Sequence, residues 1–180
     1  MYAVIGLFDE QTELLIKTIW RELQERSISF YAEEIVDRRP HITIANHNNL
    51  DKIEFVNEMD KFYEDKPVVH FLLNSIGSFL NSGALYFAPA VTEQLTNLHS
   101  THHQHFGKFN DIPDSLYAPG NWTPHCTIAN RLSEQKLEEA FKYCLKRTAN
   151  ITGHIAEIAL IELVDKRNVP EIYSKRLILV

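Results

Sequence analysis

The phrase RPHITIAN at residues 39–46 returns as TPHCTIAN at residues 123–130, with six of eight letters identical. A chain of 180 residues that writes one strand-like phrase twice, 84 positions apart, is held to two similar local structures, one in each half. In an extended strand successive side chains point to opposite faces. His41 and Thr43 therefore share one face and Ile42 and Ile44 the other. In the second copy His125 and Thr127 face one way, Cys126 and Ile128 the other. Each copy thus carries a polar pair with a core face behind it. Pro40 and Pro124 lack an amide donor, which suits the first residue of a strand or an edge.

The flanking segments repeat the same rhythm. Residues 2–8, YAVIGLF, are short, apolar and β-prone, and Asp9 is placed to cap a helix with an apolar stripe at Leu15 or Ile16, Ile19, Trp20 and Leu23. SISFYAEEIV at 27–36 reads as a second strand and HITIAN as a third. Asn49 or Asp51 starts a helix with its stripe at Val56, Met59, Phe62 and Tyr63, ended by Pro67. Residues 68–79 and 84–90 form a hairpin about NSG. A helix from about Thr92 to Phe106, a loop at 107–123, the second phrase, and a helix capped by Ser133 follow. That last helix should bury Leu137, Ala140, Phe141, Cys144 and Leu145. HIAEIALIELV and KRLILV close the chain as strands. The pattern predicts roughly eight strands and four helices, of class α/β or α+β, as two related lobes in one body. Residues 1–180 read as a single bilobal domain; the loop at 107–123 is its longest candidate for a boundary or a lid.

Composition narrows the partners. A net charge of -6 argues against a grip on long nucleic acid, which needs many cations facing successive phosphates. A small anionic ligand requires only a local positive site, and nine histidines can supply one. Cys126 and Cys144 fit no metal-ligand spacing, so a reduced, cytoplasmic setting is expected. The start MYAVIGLFDE meets acidic residues too early for a secretion signal and reads as a first strand. No apolar run reaches the length of roughly 20 residues that a membrane helix needs, so a soluble chain with no membrane partner is expected.

If the lobes are related by an approximate two-fold axis, the two His/Thr pairs face each other across a groove. This arrangement suits in-line displacement at phosphorus. One imidazole takes a proton from the attacking oxygen and the other gives one to the leaving oxygen, while hydroxyls donate to the non-bridging oxygens. The scheme needs no metal and no cofactor. A 2′,3′-cyclic phosphate is a natural target, because its strained ring already presents the phosphorus.

On these phrases the chain resembles the 2H phosphoesterase superfamily, which includes the 2′-5′ RNA ligase-like proteins and cyclic phosphodiesterases. PHITIA supplies His41 and Thr43, and PHCTIA supplies His125 and Thr127. The resemblance implies an α+β, bilobal, pseudo-two-fold fold, with two related β-sheet lobes, helices outside and a central groove. It implies His41 and His125 as catalytic residues and Thr43 and Thr127 as substrate-binding ones. The expected activity is metal-independent hydrolysis of 2′,3′-cyclic or related nucleotide and RNA-end phosphodiesters by a monomer, with 2′-5′ ligation as the reverse possibility. The alternative is a nucleotide or RNA-end binding module without turnover.

Other features have plainer readings. HSTHHQHF places His99, His102, His103 and His105 at helical spacing; His102 joins the buried stripe of Leu95, Leu98 and Phe106, and the rest are expected on solvent rather than on a metal. Tyr117 and Trp122 either stack on a base or anchor their loop, and anchoring is the expectation. Arg38, Arg39 and Arg131 can attract phosphate, or can simply be solvated.

Overall fold

A computed structural model describes residues 1–179. Seven strands and four helices run in chain order: β1 (Tyr2–Phe8), α1 (Glu10–Glu25), β2 (His41–His47), α2 (Lys52–Tyr63), β3 (Val69–Gly77), β4 (Leu85–Pro89), α3 (Glu93–His105), β5 (Cys126–Ala129), α4 (Glu134–Arg147), β6 (Ile151–Glu162) and β7 (Glu171–Arg176). The sequence β-α-β-α-β therefore occurs twice, ending first at β3 and again at β6.

All strands join one antiparallel sheet of order β2-β1-β6-β3-β4-β5, with β7 added to β6. Exchanging β1 with β4, β2 with β5 and β3 with β6 maps this order onto itself. That exchange is the pseudo-two-fold. Each half lends its third strand to the other lobe, and the two lent strands pair at the axis, with Phe71 opposite Gly153. The fold is α+β, with two related lobes joined through β3 and β6. Although β2 and β5 lie at opposite ends of the order, they touch. The sheet is therefore curled until its two motif strands meet.

Local signals account for the helices. The Asp9 carboxylate accepts from Thr12 N at 3.0 Å and from His154 N at 2.9 Å, so one side chain caps α1 and ties it to β6. Asp51, Thr92 and Ser133 cap α2, α3 and α4 in the same way, each cap contributing about 1 kcal/mol. One large core lies between the sheet and the helices; it includes Ile16, Ile19, Leu23, Ile42, Ile44, Phe55, Met59, Cys126 and Ile128. A smaller cluster of Ala3, Ile5, Leu7 and Ala159 lies on the other face of β1. This explains why β1 is apolar throughout instead of alternating.

Four expectations are corrected. Residues 27–36 form no strand but a turn and a short 3-10 helix, Tyr31–Glu34, because Tyr31 packs edge-on against Trp20 at 5.6 Å and holds the segment over α1. In α4 only Ala140 and Cys144 are buried, and Leu145 is 62% exposed, because the helix lies across β4 on a narrow contact. The closing strand is Glu171–Arg176, earlier than KRLILV; Ile178 makes only an isolated bridge to Pro67, and Val180 lies outside the described residues. The loop at 107–123, the candidate for a boundary or a lid, is laced to β2. No helix among the described residues is long and apolar enough to cross a membrane.

Candidate active site

The repeated phrase folds the same way twice. In the β1–β2 pair Ala45 lies opposite Val4 and Thr43 opposite Ile5, so Ile44 is an extra residue. In the β4–β5 pair Ala129 lies opposite Leu85 and Thr127 opposite Tyr86, so Ile128 is extra. Both strands carry a β-bulge at the same letter of the phrase. A bulge resets the alternation of faces. Ile44 and Ala45 are both buried, as are Ile128 and Ala129. Asn46 thereby rejoins the face of His41 and Thr43, and Asn130 occupies the matching place. Strict alternation hid these asparagines, although the shared letters IAN beyond His-x-Thr were the signal for them.

The two histidines are fixed alike. His41 Nδ1 lies 2.7 Å from the carbonyl of Arg39, and His125 Nδ1 lies 2.7 Å from the carbonyl of Thr123. A carbonyl only accepts, so each Nδ1 carries the hydrogen and each Nε2 is left for chemistry. The neutral ring then offers a lone pair at Nε2 and the protonated ring a proton at the same place. The intervening Pro40 and Pro124 set the chain direction that turns each carbonyl back on its own ring.

The surroundings of the two rings differ. Burial, reinforced by the positive charges of Arg38, His125 and Arg39, pushes the His41 imidazole down to about 4. His125 is lowered by burial alone, and Phe79 and Tyr86 stand beside its ring at 4.8 and 5.2 Å. Cys126, between His125 and Thr127, faces the core and is fully buried; burial raises its thiol to about 12, so it is no nucleophile.

His41, Thr43 and Asn46 open onto a cavity of about 1280 Å³ floored by Ala3, Ile5 and Leu7. His125 and Thr127 are not among its wall residues. Tyr31, from the first half of the chain, and Tyr117, from the second, also line the wall. No spacing rule in the sequence pointed to Tyr31.

The segment 107–123 fastens the second lobe along the outer edge of β2. Phe109 O meets His47 Nδ1 at 2.9 Å, the Asp111 carboxylate accepts from Asn48 N and Asn49 N, and Ser115 Oγ donates to Asn46 Oδ1 at 2.6 Å. Trp122 Nε1 donates to Thr43 O at 2.8 Å, and His103 Nε2 donates to Ile44 O at 3.1 Å. Trp122 is stacked on His99 at 3.9 Å, so it anchors the strand as expected. The histidine-rich helix corrects another expectation: His99, His102 and His103 are all buried, and His105 alone is exposed, against Glu58. The first three bond Tyr117 O, Tyr63 Oη and Ile44 O. No group of three or more His, Cys, Asp or Glu side chains able to hold a metal occurs among the described residues.

Paired His-x-Thr strands, one per lobe of a pseudo-two-fold sheet and in contact with each other, mark the two-lobed 2H class. The family model of the 2′-5′ RNA ligase superfamily matches residues 15–167, and the chain belongs to that superfamily. No curated protein matches it. Among solved structures, Escherichia coli LigT in apo form superposes with a TM-score of 0.65 at 12% identity, over 98% of this chain and 96% of that one. LigT complexed with 3′-AMP gives 0.62 at 12% identity over 98% and 97%. TT0787 of Thermus thermophilus gives 0.62 at 14% identity over 98% and 97%. At these identities the likeness is one of fold.

Proposed function

We propose that the protein is a metal-independent phosphodiesterase that hydrolyses 2′,3′-cyclic phosphates, or related nucleotide and RNA-end phosphodiesters, by paired-histidine acid and base catalysis. The observation that carries this reading is the matched pair of Nδ1–carbonyl bonds, which leaves an Nε2 for chemistry on each of two strands that touch. His41 acts as the general base and His125 as the general acid. Positive charge beside His41 favours its neutral form, and His125 lacks such neighbours. Water attacks phosphorus as His41 Nε2 takes its proton; His125 Nε2–H gives a proton to the departing ribose oxygen; the ring opens to a phosphomonoester. Thr43 and Thr127 donate to the non-bridging oxygens as negative charge builds there. A 5′-hydroxyl in place of water would run the same steps toward a 2′-5′ linkage.

The nucleotide class is supported by the complex of the similarly folded LigT with 3′-AMP and by a cavity large enough for more than one nucleotide. The net charge of -6 favours a short substrate over a long polyanion. A reducing, cytoplasmic setting belongs to this reading, with Cys126 and Cys144 both free and buried. The test is hydrolysis of a panel of 2′,3′-cyclic nucleotides and short RNAs ending in that group, in EDTA. Turnover that survives chelation supports the scheme. Binding of these ligands by the folded chain without turnover would replace it with a nucleotide-binding module.

A further inference from the structure

Arg38 is a buried cation that shares its one carboxylate with a second arginine. Its side chain is only 10% exposed, yet its buried Nε has no hydrogen-bond partner among the described residues. The one carboxylate within ion-pair range among them is Glu34, at 3.5 Å from one terminal nitrogen. That carboxylate makes its short contact with Arg131, at 2.6 Å. The guanidinium instead lies over the ring of Tyr31, 3.7 Å from its centre. Cation–π contact fixes its plane without using its N–H groups. An arginine has five such donors, and burying them unpaired is costly.

Its neighbours behave differently. Arg39 is spent on Glu13, Glu157 and Glu171, and Arg131 on Glu34. Arg38 lines the same cavity as His41 and Thr43 and is close enough to His41 to disfavour its protonation. The ring beneath it is that of Tyr31, which lines the same cavity.

The pseudo-two-fold sharpens this. Arg38 stands three residues before His41, and the residue three before His125 is Trp122. Trp122 spends its one donor on the backbone of Thr43. One lobe therefore brings a buried cation with an unpartnered Nε to the cavity, and the other brings a structural aromatic.

We infer that Arg38 is a phosphate-binding residue, its N–H fork donating to the non-bridging oxygens of the phosphoryl group that the two histidines act on. The inference rests on the phosphodiester reading above. A fork of parallel donors matches two oxygens of one phosphate, which a lysine at the same place cannot reproduce. Glu34 and Tyr31 hold the fork in place, and the anion completes it.

The test follows the Arg38 Nε–H signal in 1H–15N spectra of the native chain, assigned by its absence in Arg38→Lys, during titration with inorganic phosphate. The signal is expected to move and to saturate with binding. Calorimetric affinity for phosphate is expected to fall about 10-fold in Arg38→Lys and up to about 100-fold in Arg38→Met, as loss of charged hydrogen bonds implies. An unmoved signal, unchanged affinity in the folded variants, or a native chain that binds no phosphate overturns the inference. Should Arg38→Met fail to fold, the native spectrum and Arg38→Lys decide. Phosphate binding that depends on Arg38 without hydrolysis would sink the reaction and keep this residue. Hydrolysis at native rates in Arg38→Lys, with the signal unmoved, would do the reverse.

Discussion

The indole Nε1 of Trp122, in the second half of the chain, donates to the backbone carbonyl of Thr43 in the first at 2.8 Å. This bond lies on the unpaired edge of β2, next to the one from His103 to Ile44. An edge strand presents free carbonyls, and here the opposite lobe fills them. The threonine of one motif is thereby held by the residues leading into the other.

Replacing Trp122 with Phe keeps the stack on His99 and removes the donor. A buried carbonyl left unpaired costs about 1–3 kcal/mol. For a chain of 180 residues the melting temperature is expected to fall by a few degrees. Because Thr43 is loosened, kcat should drop more than KM rises. An unchanged melting curve and unchanged kinetics would show that the strap does not position the site.

His41→Ala and His125→Ala should each lower kcat by about 10²–10⁴, the range for loss of a general acid or base. The double variant should fall little further, because either loss disables the same step. Strictly multiplicative losses would argue that the two rings act independently.

The pH profile of kcat/KM follows from the directions of the two shifts. His41 must be neutral and is pushed down to about 4; His125 must be protonated and is also lowered from its usual range. Activity should therefore rise as pH increases through the value for His41 and fall as it passes that for His125. The bell peaks on the acid side of about 6.5. A profile flat from about pH 5 to 8 would exclude the two-histidine scheme.

Stability should respond to acid through these two rings and through a second, buried set. Burial lowers His47, His99, His102 and His103, with His99 at about 4. They remain neutral in the fold and take up protons when the chain unfolds. Their contribution is complete above about pH 6.5 and is lost as pH falls toward 4, since the unfolded state binds more protons in that window. Each such ring steepens the loss by about 1.4 kcal/mol per pH unit. Urea midpoints at pH 7.5 and pH 5 measure it, and equal midpoints would show that the cluster is open to protonation in the native state.

Gly153 sits at the sheet axis opposite Phe71. A side chain there would collide with Thr12 Oγ1 and would approach Asp9 Oδ2 within 2.7 Å, breaking the cap that ties α1 to β6. Gly153→Ala is expected to destabilise by about 1–3 kcal/mol, the scale of an overpacked site. A neutral substitution would show that α1 can shift without disturbing the sheet.

Much of this was legible in the letters. The repeated phrase fixed which face His41, Thr43, His125 and Thr127 share, and apolar spacing with Asp9, Thr92 and Ser133 placed the helices within a residue or two. These are local properties, set by the alternation of a strand, the turn of a helix and a cap three residues away. The strand expected at 27–36 failed because Trp20, on a neighbouring helix, holds Tyr31 in a turn. His99 and His103 were misplaced on solvent because the surface that buries them comes from β2 and the strap, far along the chain.

Arg38 shows the division most clearly. In sequence it is one of two adjacent arginines, with nothing to separate it from Arg39. Its Nε is left unpartnered and its one carboxylate is shared, because Arg131, 97 residues from Glu34, makes the shorter contact at 2.6 Å against 3.5 Å for Arg38. The sequence by itself determined two matched strands with a histidine and a threonine on one face of each. Only the tertiary structure decided which charges around them are satisfied and which remain available, because pairing and burial depend on segments that meet only when the sheet curls and its two ends touch.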